Sequence, residues 1–146
     1  MSVVSPARIL LAEDDRILRK AGEVSLSKKG YDVIPAVDGE DALAKAREQK
    51  PDLILLDVMM PKVQGFDVLH ALKGDPAVRD IPVIMLTNLE QAADIQRAAD
   101  GGAHSYLVKS NMNLDELAER VADALANRGK DPAPVLRAEL VVGLAL

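Results

Sequence analysis

A chain of 146 residues can bury roughly 70% of the surface its unfolded form exposes, around one core and without staples, and its lack of cysteine excludes disulfides and thiolate-held zinc or iron–sulfur centres. A net charge of −5 with only two tyrosines and one phenylalanine argues against a phosphate-backbone contact or a base-stacking platform, so no direct nucleic-acid partner is expected. Met1–Pro6 lacks the basic start and apolar run of a leader, and no stretch approaches the ~20 apolar residues of a membrane span; a cytoplasmic protein without membrane contact is expected.

Along the chain, short apolar runs alternate with segments of helical period. Arg8 to Ala12 reads as a strand, and Arg16 to Lys29 as a helix closed by Gly30. Tyr31 to Val37 is the second strand candidate, followed by a helix over Glu40 to Gln49 opened by Asp38. Leu53 to Leu56, four aliphatics in a row, reads as a strand buried on both faces, and Pro61 keeps the residues after Asp57 from winding on into a helix. A helix over Phe66 to Lys73 closed by Gly74 follows, then a strand over Pro82 to Leu86 and a helix over Glu90 to Ala99 closed by Gly101. Ser105 to Val108 is the last strand, and Leu114 to Asn127 the last helix, opened by Asn113 with Glu116 three residues on. Strands alternating with helices of this length imply a parallel sheet covered on both faces with right-handed crossovers: an α/β, three-layer, doubly wound (βα)5 sandwich. Leu26, Val33, Ile54, Leu56, Val83, Met85, Leu107 and Leu117 are assigned to its core.

In such a sheet, chemistry gathers at the C-terminal ends of the strands. Asp57 stands there, directly after four aliphatics, as a candidate nucleophile or metal ligand. The loop after the first strand carries Glu13, Asp14 and Asp15. Carboxylates converging at one edge repel, and a hard divalent cation such as Mg²⁺ would offset that cost. Alternatively the acids cap the first helix, a reading that fits Asp15, placed immediately before Arg16. Thr87 and Lys109 each directly follow an apolar strand, and a hydroxyl with an ammonium is what a phosphoryl group on Asp57 would require.

From Ala7 to Arg128 the sequence resembles the receiver domain of two-component response regulators. The resemblance is carried by Leu10-Leu11-Ala12-Glu13-Asp14-Asp15, Asp57-Val58-Met59-Met60-Pro61 with Gly65, Ile81-Pro82-Val83-Ile84-Met85-Leu86-Thr87, and Tyr106-Leu107-Val108-Lys109. It implies a flavodoxin-like sheet of order 2-1-3-4-5 and a receiver spanning residues 1–128. It makes Asp57 the phosphoacceptor, Glu13, Asp14, Asp57 and the Met59 backbone carbonyl the Mg²⁺ site, Thr87 and Lys109 the groups that bind the phosphoryl oxygens, and Tyr106 an aromatic that reports activation. The donor would be a histidine kinase or a phosphotransfer protein, and the signal would pass to a downstream protein. Such a domain is no enzyme beyond its own Mg²⁺-dependent phosphorylation and dephosphorylation. Phosphorylation is expected to draw Thr87 inward and let Tyr106 fill the vacated space.

Two positions depart from the family pattern: Asn88 stands where a small residue usually follows the threonine, and Ser110 where proline usually follows the lysine. Altered phosphorylation or dephosphorylation rates are expected. They also motivate the alternative of a degenerate receiver that binds partners without phosphorylation. A haloacid dehalogenase type of hydrolase fits poorly, because Met59 replaces that family's second acid, and a flavin carrier lacks its phosphate loop and aromatic sandwich. His70 and His104 lack metal-site spacing. The segment Gly129 to Leu146 opens with Asp131-Pro132-Ala133-Pro134 and ends in an apolar stretch. It is too short for an output domain, so a stand-alone receiver is expected, with the tail packed on its own chain or forming a homodimer.

Overall fold

Period-two alternation sorts the strand residues to two faces, and the fold follows from covering both. The computed structural model describes residues 6–87, 92–109 and 113–127; the expectations for Asn88, Ser110 and Gly129–Leu146 concern residues outside these. Five strands, β1 (Arg8–Ala12), β2 (Asp32–Ala36), β3 (Leu53–Asp57), β4 (Val83–Thr87) and β5 (Ser105–Val108), alternate with helices α1 (Arg16–Lys28), α2 (Gly39–Gln49), α3 (Gly65–Lys73), α4 (Ala92–Asp100) and α5 (Leu114–Ala126). The strands pair in parallel in the order β2-β1-β3-β4-β5, the expected doubly wound sheet.

One core lies between the sheet and α2, α3 and α4, and contains Leu10, Ile54, Leu56, Val83, Met85 and Tyr106. The other lies under α1 and α5 and contains Ile9, Leu11, Leu53, Leu55, Leu107 and Leu117. Adjacent strand residues thus enter opposite cores, as the pleat requires. Of the residues expected in the core, Val33 is only partly buried, because β2 is an edge strand.

Capping explains most helix starts. Asp15 accepts from the amides of Ile17 and Leu18, Asp38 from that of Asp41, and Asn113 from that of Glu116. Several boundaries differ by one residue from expectation, and β2 is shorter at both ends, Asp32–Ala36 rather than Tyr31–Val37. β3 and β4 each run one residue further, taking in Asp57 and Thr87, because both still have partners in the ladder, Leu86 and Val108. Gly74 ends α3 with an ordinary right-handed φ of −84° rather than a left-handed turn. The start of α4 expected at Glu90 lies outside the described residues, and the helix is described from Ala92.

Pro35 interrupts β2 chemically without breaking it. The neighbouring carbonyl of Ala36 faces β1 and accepts from the Glu13 amide, so that of Pro35 faces the free edge of the sheet, where Lys45 Nζ of α2 donates to it at 2.6 Å.

Candidate functional site

The register brings the sequence-predicted residues to one end of the sheet. Ala12 pairs with Leu56, Asp57 with Leu86 and Thr87 with Val108, so Glu13, Asp57, Thr87 and Lys109 occupy the C-terminal ends of four adjacent strands. Parity then divides them. Asp57 continues the Leu53, Leu55 series and Glu13 the Ile9, Leu11 series, toward the α1 and α5 side; Thr87 continues the Val83, Met85 series, toward the side that also holds Tyr106.

The Lys109 ammonium joins the two buried carboxylates. It donates to Glu13 Oε1 and, at 2.9 Å, to Asp57 Oδ2. The second oxygen of each acid is held by backbone: Asp57 Oδ1 accepts from the Met59 amide at 3.2 Å, and Glu13 Oε2 from the Asp15 amide at 3.2 Å. Both acids are 3% exposed. Burial pushes the Glu13 carboxyl up, with neighbouring Asp57 adding to the rise and Lys109 opposing it. Burial works against the Lys109 charge, but its hydrogen bonds to Glu13 and Asp57 outweigh it and leave its pKa raised.

Asp14 is exposed beside them, and carboxylate oxygens of Glu13, Asp14 and Asp57 lie within 4.8 Å of one another. Three hard oxygen donors so close together fit a cation such as Mg²⁺. Met59, 61% exposed, stands at the mouth of the site while Met60 enters the core. Thr87 and Tyr106 are buried.

Two supports of the site were not foreseen. Arg19 reaches back from α1 to donate to the carbonyls of Glu13 and Asp14, at 2.8 and 3.2 Å, fixing the acidic loop. The loop after β3 is clasped on both sides. A Cβ on Gly65 would lie 2.2 Å from the Asp57 carbonyl oxygen, and one on Gly39 would lie 1.9 Å from that of Val63. Lys62, at φ 69°, makes ion pairs with Asp38 and Glu40 across the same contact. Their only sequence signal was the glycines and the helix-opening acids. His70 is exposed and His104 lies just before β5, at the opposite end of the sheet from this cluster, so neither joins the site.

The sequence matches the family described as "Response regulator receiver domain" over residues 9–122. It is 40% identical over 134 residues to the DNA-binding dual master transcriptional regulator RpaA of Synechocystis sp., covering 92% of this chain and 55% of the relative. It is 41% identical over 114 residues to the gliding motility regulatory protein of Myxococcus xanthus, covering 78% of this chain and 15% of the relative. The chain therefore spans about half, or less, of these relatives' length. Among solved structures, the fold is similar to the Vibrio cholerae chemotaxis protein CheY4, with a TM-score of 0.76 and 31% identity over 81% of this chain and 98% of that one. The receiver domain of the Francisella response regulator 1452 gives 0.77 and 28% over 82% and 97%. Among the described residues, no helix is long and apolar enough to cross a membrane.

Proposed function

The chain belongs to the response regulator receiver domain family, and we propose that Asp57 is its phosphoacceptor. The observation that carries the proposal is the Lys109 ammonium held between the buried Glu13 and Asp57 carboxylates at the end of the sheet where the acidic loop converges.

The donor in this reading is the phosphohistidine of a histidine kinase or a phosphotransfer protein. An Asp57 carboxylate oxygen forms a bond to phosphorus as the bond from phosphorus to the histidine nitrogen breaks, and the electron pair leaves on the imidazole. The Met59 amide holds one carboxylate oxygen and so orients the attacking group. Lys109, already within reach of Asp57, follows the charge onto the phosphoryl oxygens, and the Thr87 hydroxyl at the end of the adjacent strand serves the same group. Asp14, Glu13, Asp57 and the Met59 carbonyl would hold Mg²⁺, which supplies further neutralisation of the transferred charge. Attack by water on the acyl phosphate returns the carboxylate and releases inorganic phosphate.

Hydrogen bonds to charged groups contribute about 1.5–3 kcal/mol each, so new ones from Thr87 and Lys109 offer up to about 3–6 kcal/mol. About 5.5 kcal/mol moves a two-state equilibrium from 1:99 to 99:1. Thr87 and Tyr106 project from neighbouring strands toward the same core, on the side where α4 packs, which supports a switch that passes from Thr87 to Tyr106 and out to a downstream protein.

Intact mass after incubation with acetyl phosphate tests the reading. A gain of one phosphoryl group that needs Mg²⁺ and disappears in Asp57→Ala is expected. A folded protein that gains nothing overturns it in favour of a module that binds partners without phosphorylation.

A further inference from the structure

α1 exposes apolar side chains between its charged ones. Ile17 is 79% exposed and Val24 41%, and Leu114 at the start of α5 is 43% exposed beside them. Together with Ala21 they line a groove of about 1100 Å³ between α1 and the start of α5, with Lys20 and Lys28 among its basic residues. Contiguous exposed apolar surface of this kind marks a place where something sits.

We infer that the occupant is the chain's own segment Val135–Leu146, folded back onto the α1/α5 groove. That segment lies outside the described residues, and its sequence, Val-Leu-Arg-Ala-Glu-Leu-Val-Val-Gly-Leu-Ala-Leu, has only Arg137 and Glu139 as charged residues. The geometry of the exit favours it. α1 and α5 each follow a strand and run back across the same face, in contact, so the chain leaves α5 beside the Lys28 end of the groove. The connection through Asp131-Pro132-Ala133-Pro134 is Pro-containing and spans about 3 Å per residue when extended. α1 is about 20 Å long at 1.5 Å per residue, and the twelve residues of Val135–Leu146 would reach about 18 Å as a helix and more when extended. In that position Lys20 and Lys28 of the lining would offer Glu139 a complementary charge.

A tethered segment meets the groove at an effective concentration in the millimolar range, whereas a second copy must first give up its translational freedom. A stable dimer would also need about 800 Å² from each partner, more than one groove on one helix pair supplies. Seated there, Val135–Leu146 removes from other proteins the face that borders Asp15 and Leu114.

The absence of native cysteine makes disulfide trapping a clean test in the full chain. Val24→Cys is combined in turn with Leu136→Cys, Leu140→Cys and Leu144→Cys. The control pairs the same tail cysteines with Asp67→Cys, an exposed position of α3 on the opposite face. At least one Val24 pair is expected to close within a single chain about tenfold faster than its control, as proximity requires. Equal rates on the two faces overturn the inference, and so does a product that is mainly covalent dimer, which would seat a second copy in the groove. Independently, Leu140→Asp in the full chain should shift the methyl resonances of Ile17 and Val24 and leave those of Val68 unchanged. Unmoved Ile17 and Val24 signals also overturn it.

Discussion

At the C-terminal end of the sheet, the buried Glu13 and Asp57 carboxylates share the partly buried Lys109 ammonium; at the N-terminal end, His104 is 7% exposed and neither ring nitrogen has a hydrogen-bond partner among the described residues. Nearby, Lys73 donates to the carbonyls of Arg79 and Ile81, and its pKa is lowered by burial against the opposing pull of Asp80. The two ends show what a sheet edge tolerates. Charges buried together must come as an interlocked set, while an imidazole buried without a partner among the described residues stays neutral and carries a desolvation cost.

Breaking the interlocked set should have the largest effect. Lys109→Met leaves two buried carboxylates facing each other, and a loss of about 3 kcal/mol in urea unfolding is expected. Adding Glu13→Gln should recover about half of it. A loss under about 1 kcal/mol would mean that the charges are well solvated and the contrast between the ends is wrong. Next comes the clasped loop. Gly65→Ala drives a Cβ into the Asp57 carbonyl, and Gly39→Ala one into that of Val63, so each should cost about 1–3 kcal/mol, read from the denaturation midpoint.

The N-terminal end should answer to pH instead. Burial lowers the pKa of His104, with Asp123 opposing and Lys73 assisting. The unfolded chain therefore binds a proton that the folded chain refuses, and the associated stability is present above about pH 6.5 and lost as pH falls below it. Denaturation midpoints across that range should show the decline, and His104→Leu should flatten it. The smallest effect belongs to Lys50, which caps α2 at φ 44°. Lys50→Gly relieves left-handed strain of about 1–2 kcal/mol but loosens the unfolded chain, for a net gain under about 1 kcal/mol by the same measurement.

The strand and helix order was legible because each element carries its own signal: aliphatic runs for β3 and β4, and Asp15, Asp38 and Asn113 at helix starts. Glu13, Asp57, Thr87 and Lys109, which the register brings to one edge, were legible as candidates because each directly follows a run of apolar residues. Register was not. Whether Asp57 and Thr87 end their strands or follow them depends on partners in β4 and β5, far along the chain. Lys109 donating to Glu13, 96 residues away, is equally a product of closure of the sheet, as is the contact of Gly39 with Val63. No local pattern marks His104 as buried, because its neighbours come from other elements.

Pro35 has a consequence for how these molecules behave in a crowd. Its nitrogen has no hydrogen to give, and its outward carbonyl is taken by Lys45, so β2 presents a blunted margin to solvent. A strand from another molecule cannot extend the sheet across that point without losing hydrogen bonds on both counts. The edge is thereby guarded against runaway sheet-to-sheet aggregation, which steers association with other chains toward helices and loops.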